Sequence, residues 1–212
     1  MARPLVIATQ NRGKLEEFRA LLSGLDIEVL GLRDVIQHEF SVVEDGDTFE
    51  QNAIKKARAV AEATMMLTLA DDSGLEVDAL GGAPGVRSAR FAGEHATDNE
   101  NNAALLSALG RIADDATSYG ARFRCVLALI DPFVNGGAPV IVDGVCEGHI
   151  IRSARGSRGF GYDPLFVVEG GDRTMAELSD DEKNHVSHRA RALAKLRLMI
   201  AERVAITRHV HG

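Results

Sequence analysis

Apolar residues fall in short runs broken by polar loops, and the spacing inside each run predicts its element. Leu5-Val6-Ile7-Ala8 meets the polar segment Thr9-Gln10-Asn11-Arg12-Gly13, after which apolar residues recur at Leu15, Phe18, Leu21, Leu22 and Leu25. This is the pattern of strand, loop and helix. Asp26 to Leu32 alternates loosely and predicts a second strand, whereas 37 to 47 is polar and acidic and predicts a loop. Thr48 with Gln51 three residues on predicts a capping box, opening a helix with an apolar face of Phe49, Ala53, Ala57, Val60 and Ala61 that ends near Thr64.

Leu67-Thr68-Leu69-Ala70 predicts a buried strand that delivers Asp71-Asp72-Ser73 at its end, and a glycine-rich stretch follows from Gly81 to Gly93. Thr97 and Glu100 form a second capping box, and Gly110 stops that helix. Segments 123–130 and 140–151 are rich in β-formers around Asp131-Pro132 and Asn135-Gly136-Gly137, so they predict a long antiparallel hairpin. A turn from Gly159 to Pro164 leads into Leu165-Phe166-Val167-Val168. Ser179 with Glu182 then opens a long helix carrying Leu193, Leu196, Ile200 and Val204 on one face. Interleaved strands and helices with a hairpin predict an α/β fold with a mixed sheet.

Composition narrows the function. The chain has 212 residues, 45% of them hydrophobic, enough for one large domain or two closely joined lobes, and no repeat, linker or low-complexity tract divides it. Its net charge of -7 disfavours a general affinity for nucleic-acid polymers or anionic membranes, so a phosphate-handling site must gather its cations locally. Cys125 and Cys146 fit neither a disulfide framework nor a metal pattern and are expected as reduced core thiols. The first apolar run is far too short for a signal or a membrane span, and a cytoplasmic location is expected.

Four polar clusters carry candidate chemistry. Thr9, Gln10, Asn11, Arg12, Gly13 and Lys14 lie between a strand and a helix N-terminus, where backbone N–H groups, an amide and an ammonium can meet phosphate oxygens. The segment is not the GxxxxGK[ST] loop, and a capped turn with a solvated lysine would use the same residues. Asp71-Asp72-Ser73-Gly74 sets adjacent carboxylates after an apolar strand, which suits Mg²⁺ bound with a phosphate substrate but also a turn cap; Glu44 or Asp45 in the acidic loop could add a ligand. In Gly159-Phe160-Gly161-Tyr162-Asp163-Pro164 the flanking glycines free Phe160 to stack on a base, and Asp163 can accept from a ring N–H; core packing of the aromatics is the alternative. Lys183, Ser187, His188 and Arg189 gather donors that could meet a base carbonyl or a phosphate, or simply form a charged surface. The remaining histidines, 38, 95, 149, 185, 209 and 211, show no metal or triad spacing.

Taken in order, the motifs resemble the inosine triphosphate pyrophosphatase family, whose bacterial members are called dITP/XTP pyrophosphatases. They run from Thr9-x-Asn11-x-x-Lys14 through Asn52-Ala53-x-x-Lys56-Ala57 and Asp71-Asp72-Ser73-Gly74-Leu75-Glu76-Val77-Asp78 to Gly81-Gly82-Ala83-Pro84-Gly85. Phe160-Gly161-Tyr162-Asp163-Pro164 and Ser187-His188-Arg189 complete the set. The resemblance covers essentially the whole chain. It implies a single pyrophosphatase domain over 1–212, with an elongated mixed sheet flanked by helices, two lobes, a nucleotide cleft between them, and a homodimer. It also implies Mg²⁺-dependent hydrolysis of inosine and xanthosine triphosphates to monophosphate and pyrophosphate. By similarity Thr9, Asn11, Lys14, Lys56 and Ser73 hold the triphosphate, and Glu44 and Asp72 hold Mg²⁺, with Asp72 activating water. Phe160, Gly161, Tyr162, Asp163, Lys183, His188 and Arg189 frame the nucleoside. A non-catalytic nucleotide sensor, or a pyrophosphatase for pyrimidine or standard nucleotides, would use much of the same set.

Overall fold

The structure is a computed structural model describing residues 2–112 and 116–210, the side chains of 198 and 201–210 excepted. Val204 and His209 therefore have no described side chain, and His211 lies outside the described residues. In chain order the elements are β1 (Arg3–Ile7), α1 (Arg12–Leu21), β2 (Ile27–Gly31), α2 (Leu32–Val35), α3 (Phe49–Thr64), β3 (Thr68–Val77), α4 (Asp98–Gly110), β4 (Ser118–Ile130), β5 (Val140–Ile151), β6 (Phe166–Val168), α5 (Asp180–Val186) and α6 (His188–Val210). The strands form one six-stranded sheet ordered β2-β1-β3-β4-β5-β6. It is mixed: β1 runs parallel to β2 and β3, with Leu5 opposite Val29 and Val6 opposite Thr68, whereas β5 and β6 are antiparallel with His149 opposite Val167.

The chain divides into two compact units, the first made of 1–72, 126–143 and 192–212, the second of 73–125 and 144–191. In the first, Leu5, Val6 and Ile7 of β1 are buried with Phe18 of α1 and with Ala53, Ala57, Val60 and Ala61 of α3. Leu193, Leu196 and Ile200 of α6 are buried as their spacing predicts. The second has its own cluster of Leu75, Val77, Leu105, Leu109, Phe123, Cys146, Ile150 and Phe166. Both cysteines are buried and outside any disulfide, and burial pushes the Cys146 thiol up to about 11, so it stays protonated as a core residue.

Several expected boundaries move, each for a local reason. The strand ending at Ala70 instead continues through both acids to Val77, because each buried carboxylate is paired with a lysine and neither needs a loop. Leu32 leaves β2 to open α2, where Asp34 accepts from the Gly31 N–H at 2.7 Å. Leu25 falls beyond α1, which closes at Leu22. At α3 half of the expected box forms: Thr48 accepts from Gln51 N at 3.2 Å, but the Gln51 amide oxygen accepts from Asp47 N at 2.8 Å. The boxes at Thr97/Glu100 and Ser179/Glu182 are both reciprocal. The single long final helix is two, since Ser187 is extended (φ -66, ψ 153) and its Oγ accepts from Ala190 N at 3.2 Å, capping α6 anew.

Candidate functional site

In the first unit, the β1–α1 loop is organised by its own side chains. Thr9 Oγ1 accepts from Asn11 N at 3.1 Å, and Asn11 caps α1 by accepting from Lys14 N at 3.0 Å. The Gln10 amide reaches across to the Phe40 carbonyl at 2.7 Å. Arg12 and Gly13 form the first turn, where backbone N–H groups and the helix dipole present positive potential. The Lys14 ammonium is held 2.5 Å from Asp71 Oδ1, whose side chain is fully buried on β3.

Successive residues of a strand point to opposite faces, so Asp71 and Asp72 take different partners instead of sharing one cation. Asp72 Oδ1 accepts from Lys56 Nζ at 3.1 Å, and Oδ2 from Asn52 Nδ2 at 3.1 Å. Asn52 and Lys56 stand one turn apart on α3 and so present their donors from the same face. The other end of the Asn52 amide accepts from Gly46 N at 2.8 Å, which ties the acidic loop to the same helix. Lys56 Nζ also lies 3.0 Å from Glu44 Oε1, so two carboxylates converge on one ammonium. Burial works against that ammonium, yet the charges of Asp72, Glu44 and Asp71 outweigh it and raise its pKa. For Asp72, burial pushes the carboxyl above its ordinary value, with Glu44 adding to the rise and Lys56 and Lys14 opposing it. Asp45 instead turns to Lys55 at 2.5 Å and is solvent-exposed.

Among the described residues no three His, Cys, Asp or Glu side chains form a metal cage. Glu44 and Asp72 are nevertheless hard oxygen donors converging on one cationic position, the set that Mg²⁺ takes when phosphate oxygens and water complete its shell.

In the second unit, Phe160 is half-buried, with Lys183 Nζ 4.8 Å and Arg189 Cζ 5.3 Å from its ring centre. Lys183 is paired with Asp163 Oδ2 at 2.7 Å, and the same oxygen accepts from Phe160 N at 3.0 Å. Asp163 thus closes its own turn, and a Cβ on Gly159 would collide with its carboxylate. That glycine makes room for Asp163, not for the aromatic ring as its position in sequence suggests. Tyr162 is core: its hydroxyl donates to the Ser88 carbonyl at 2.9 Å, and burial drives its pKa up. Arg189 donates to Ser73 Oγ at 2.9 Å, which ties Ser73 to the cluster around Phe160. His188 is buried with its ring stacked 5.0 Å from Phe123. Lys183, His188 and Arg189 are thus inward-facing, not a charged surface.

The sequence alone does not mark Asn52 as a site residue, although it stands four residues before Lys56 in the Asn52-Ala53-x-x-Lys56-Ala57 motif, nor does it show that Asp71 holds Lys14. Nor does it mark Asp98 and Asn102 of α4, which bond to Gly161, because nothing in local spacing links residues some sixty apart.

The model of the Ham1 family matches residues 5–199. A dITP/XTP pyrophosphatase of Bacillus anthracis is 49% identical over 200 residues, spanning 94% of this chain and 97% of that one. A solved HAM1 protein from Coxiella burnetii superposes with a TM-score of 0.81 at 45% identity, covering 94% of this chain and 99% of that one. The crystal structure of a nucleoside-triphosphatase / dITP/XTP pyrophosphatase from Mycobacterium abscessus gives 0.69 at 47% identity, covering 91% and 98%. Among the described residues no helix is long and apolar enough to cross a membrane.

Proposed function

The chain belongs to the Ham1 family, and on that premise we propose that it clears deaminated purine triphosphates, those of inosine, deoxyinosine and xanthosine, by hydrolysis to monophosphate and pyrophosphate. It is a nucleoside triphosphate pyrophosphatase, a hydrolase of acid anhydride bonds acting on non-standard nucleotides. The observation that carries the finer reading is the buried Asp72 carboxylate, fixed by Lys56 and Asn52 beside Glu44.

Attack on the α-phosphate needs a water in line, a base to take its proton, and positive charge on the departing pyrophosphate. Asp72 is the base: burial raises its affinity for a proton, and two donors hold it in one orientation. Glu44 and Asp72 would hold Mg²⁺, which when bound supplies charge to the phosphates and acidifies the attacking water. Lys14, aimed by Asp71, and Lys56 bind phosphate oxygens together with Thr9, Gln10, Asn11, Arg12 and Gly13 at the start of α1. The Ser73 hydroxyl, oriented by Arg189, adds one further contact to the triphosphate. Phe160, Gly161, Tyr162 and Asp163 frame the base with Lys183, His188 and Arg189. We extend the reading to a cytoplasmic homodimer with no nucleic-acid polymer among its partners; the family resemblance and the net charge of -7 support it.

Base choice follows from the donors. Hypoxanthine and xanthine present a 6-keto acceptor, which suits Lys183, His188 and Arg189, whereas adenine presents a 6-amino donor to the same groups. A buried mismatch of this kind discriminates by on the order of 10⁴-fold. Guanine shares the 6-keto group, so its rejection falls to the space around its 2-amino group. The test is kcat/KM for the triphosphates of inosine, xanthosine, guanosine and adenosine with Mg²⁺. Strong preference for the first two is expected, and equal values for adenosine and inosine triphosphates would refute the base reading.

A further inference from the structure

Gly161 stands at the centre of the base-framing loop with φ +62, a left-handed conformation that costs glycine little. Both of its backbone polar groups are taken by side chains of α4. The Asp98 carboxylate accepts from Gly161 N at 2.7 Å, and the Asn102 amide donates to Gly161 O at 2.9 Å. The two clamping residues are four apart, one helical turn, so from one side of the helix they hold the two peptides that flank the Gly161 Cα, one by its N–H and the other by its C=O. Asp98 is itself fixed, because it follows the Thr97 cap, whose reciprocal box with Glu100 locks the first turn.

We propose that Asp98 and Asn102 are positioning residues for nucleobase recognition, clamping the peptides on both sides of Gly161 so that Phe160 is presented to the base in one orientation. The inference rests on the base reading given above. Phe160 itself is pinned through its N–H by Asp163, and Tyr162 through its hydroxyl by Ser88, so the clamp fixes the two peptides between them. The amide orientation of Asn102 is dictated by chemistry, since a carbonyl can only accept and must face Nδ2. Its Oδ1 is buried with no hydrogen-bond partner among the described residues. A buried acceptor left in that state makes the residue a poor stability element. Its contribution is the bond to Gly161.

Binding lost equally from the bound substrate and the transition state raises KM and leaves kcat alone. Asn102→Ala and Asp98→Ala should each raise KM for deoxyinosine triphosphate about tenfold, the loss of one well-made hydrogen bond, with kcat within about twofold. Asn102→Asp turns an acceptor toward the Gly161 carbonyl and should be worse than Ala. Asp98→Asn keeps an acceptor oxygen and should restore most of the affinity. Inorganic tripolyphosphate has no base, so its Ki as a competitive inhibitor should not move in any variant. Unchanged KM in the Ala variants would overturn the clamp, as would a tripolyphosphate Ki rising in parallel with KM. Turnover by the unmodified chain tests the parent reading separately: without it both fall, and with it the variants judge the clamp alone.

Discussion

In the mechanism we propose, Asp72 is the residue on which the chemistry turns. A carboxylate on β3 with two donors and a neighbouring acid is held in one pose, and changing it to Asn keeps its size while removing a charge and a base. Asp72→Asn should fold normally and lose on the order of 10²–10⁴-fold in kcat, the range for loss of a positioned general base. Circular dichroism beside a pyrophosphate-release assay checks both halves, and near-normal turnover by a folded variant would return Asp72 to a structural role. Much of this was legible in sequence, since an apolar run opening onto two acids is unusual in a strand. The division of labour between Asp71 and Asp72 was not, because it depends on which lysine each face of β3 meets in three dimensions. Which acid each lysine meets was likewise hidden: Lys55 pairs with Asp45 and Lys56 with Glu44, and our proposal of Glu44 as a metal ligand rests on that.

At the scale of elements, capping chemistry set most of the boundaries, and where expectation failed a side chain had found a better bond. Ser187 is the clearest case: the apolar stripe of the final segment predicts one helix, but its hydroxyl caps a new start and turns His188 and Arg189 inward. Ser187→Ala should cost about 1 kcal/mol, as N-cap losses do, measured as a shift in urea midpoint without change of slope. At the other end of α5, Glu182 accepts from Ser179 N and pairs with Arg173. Arg173 first, and Ser179 after it, draw its carboxyl down to about 2 from the ordinary 4.5. A folded value below the unfolded one stabilises the fold above pH 4.5, and that contribution fades as pH falls toward about 2. The melting temperature of Glu182→Gln should therefore sit below that of the unmodified chain near neutral pH, with the gap narrowing steadily on acidification. A gap independent of pH would contradict the assignment.

Over the whole molecule, the alternation of strands and helices and the hairpin signal were enough to predict a mixed α/β sheet, because hydrophobic period and turn residues are local properties. Strand order is not local, and neither is the grouping of 73–125 with 144–191 into one compact unit. The clamp on Gly161 belongs to that non-local class, which is why spacing gave no hint of Asp98 or Asn102. On the reading proposed above, a chain of net charge -7 meets a highly anionic substrate by local means, with Lys14 and Lys56 each held beside a buried carboxylate. Lysines held in this way stay aimed, which in the proposed reaction favours a leaving group as anionic as pyrophosphate. The bond that breaks is therefore the central matter. ³¹P NMR of deoxyinosine triphosphate incubated with the protein and Mg²⁺ reads it directly: the expected products are the monophosphate and pyrophosphate appearing together, in equal amounts and without orthophosphate. Stepwise release of orthophosphate through the diphosphate would contradict attack at the α-phosphate.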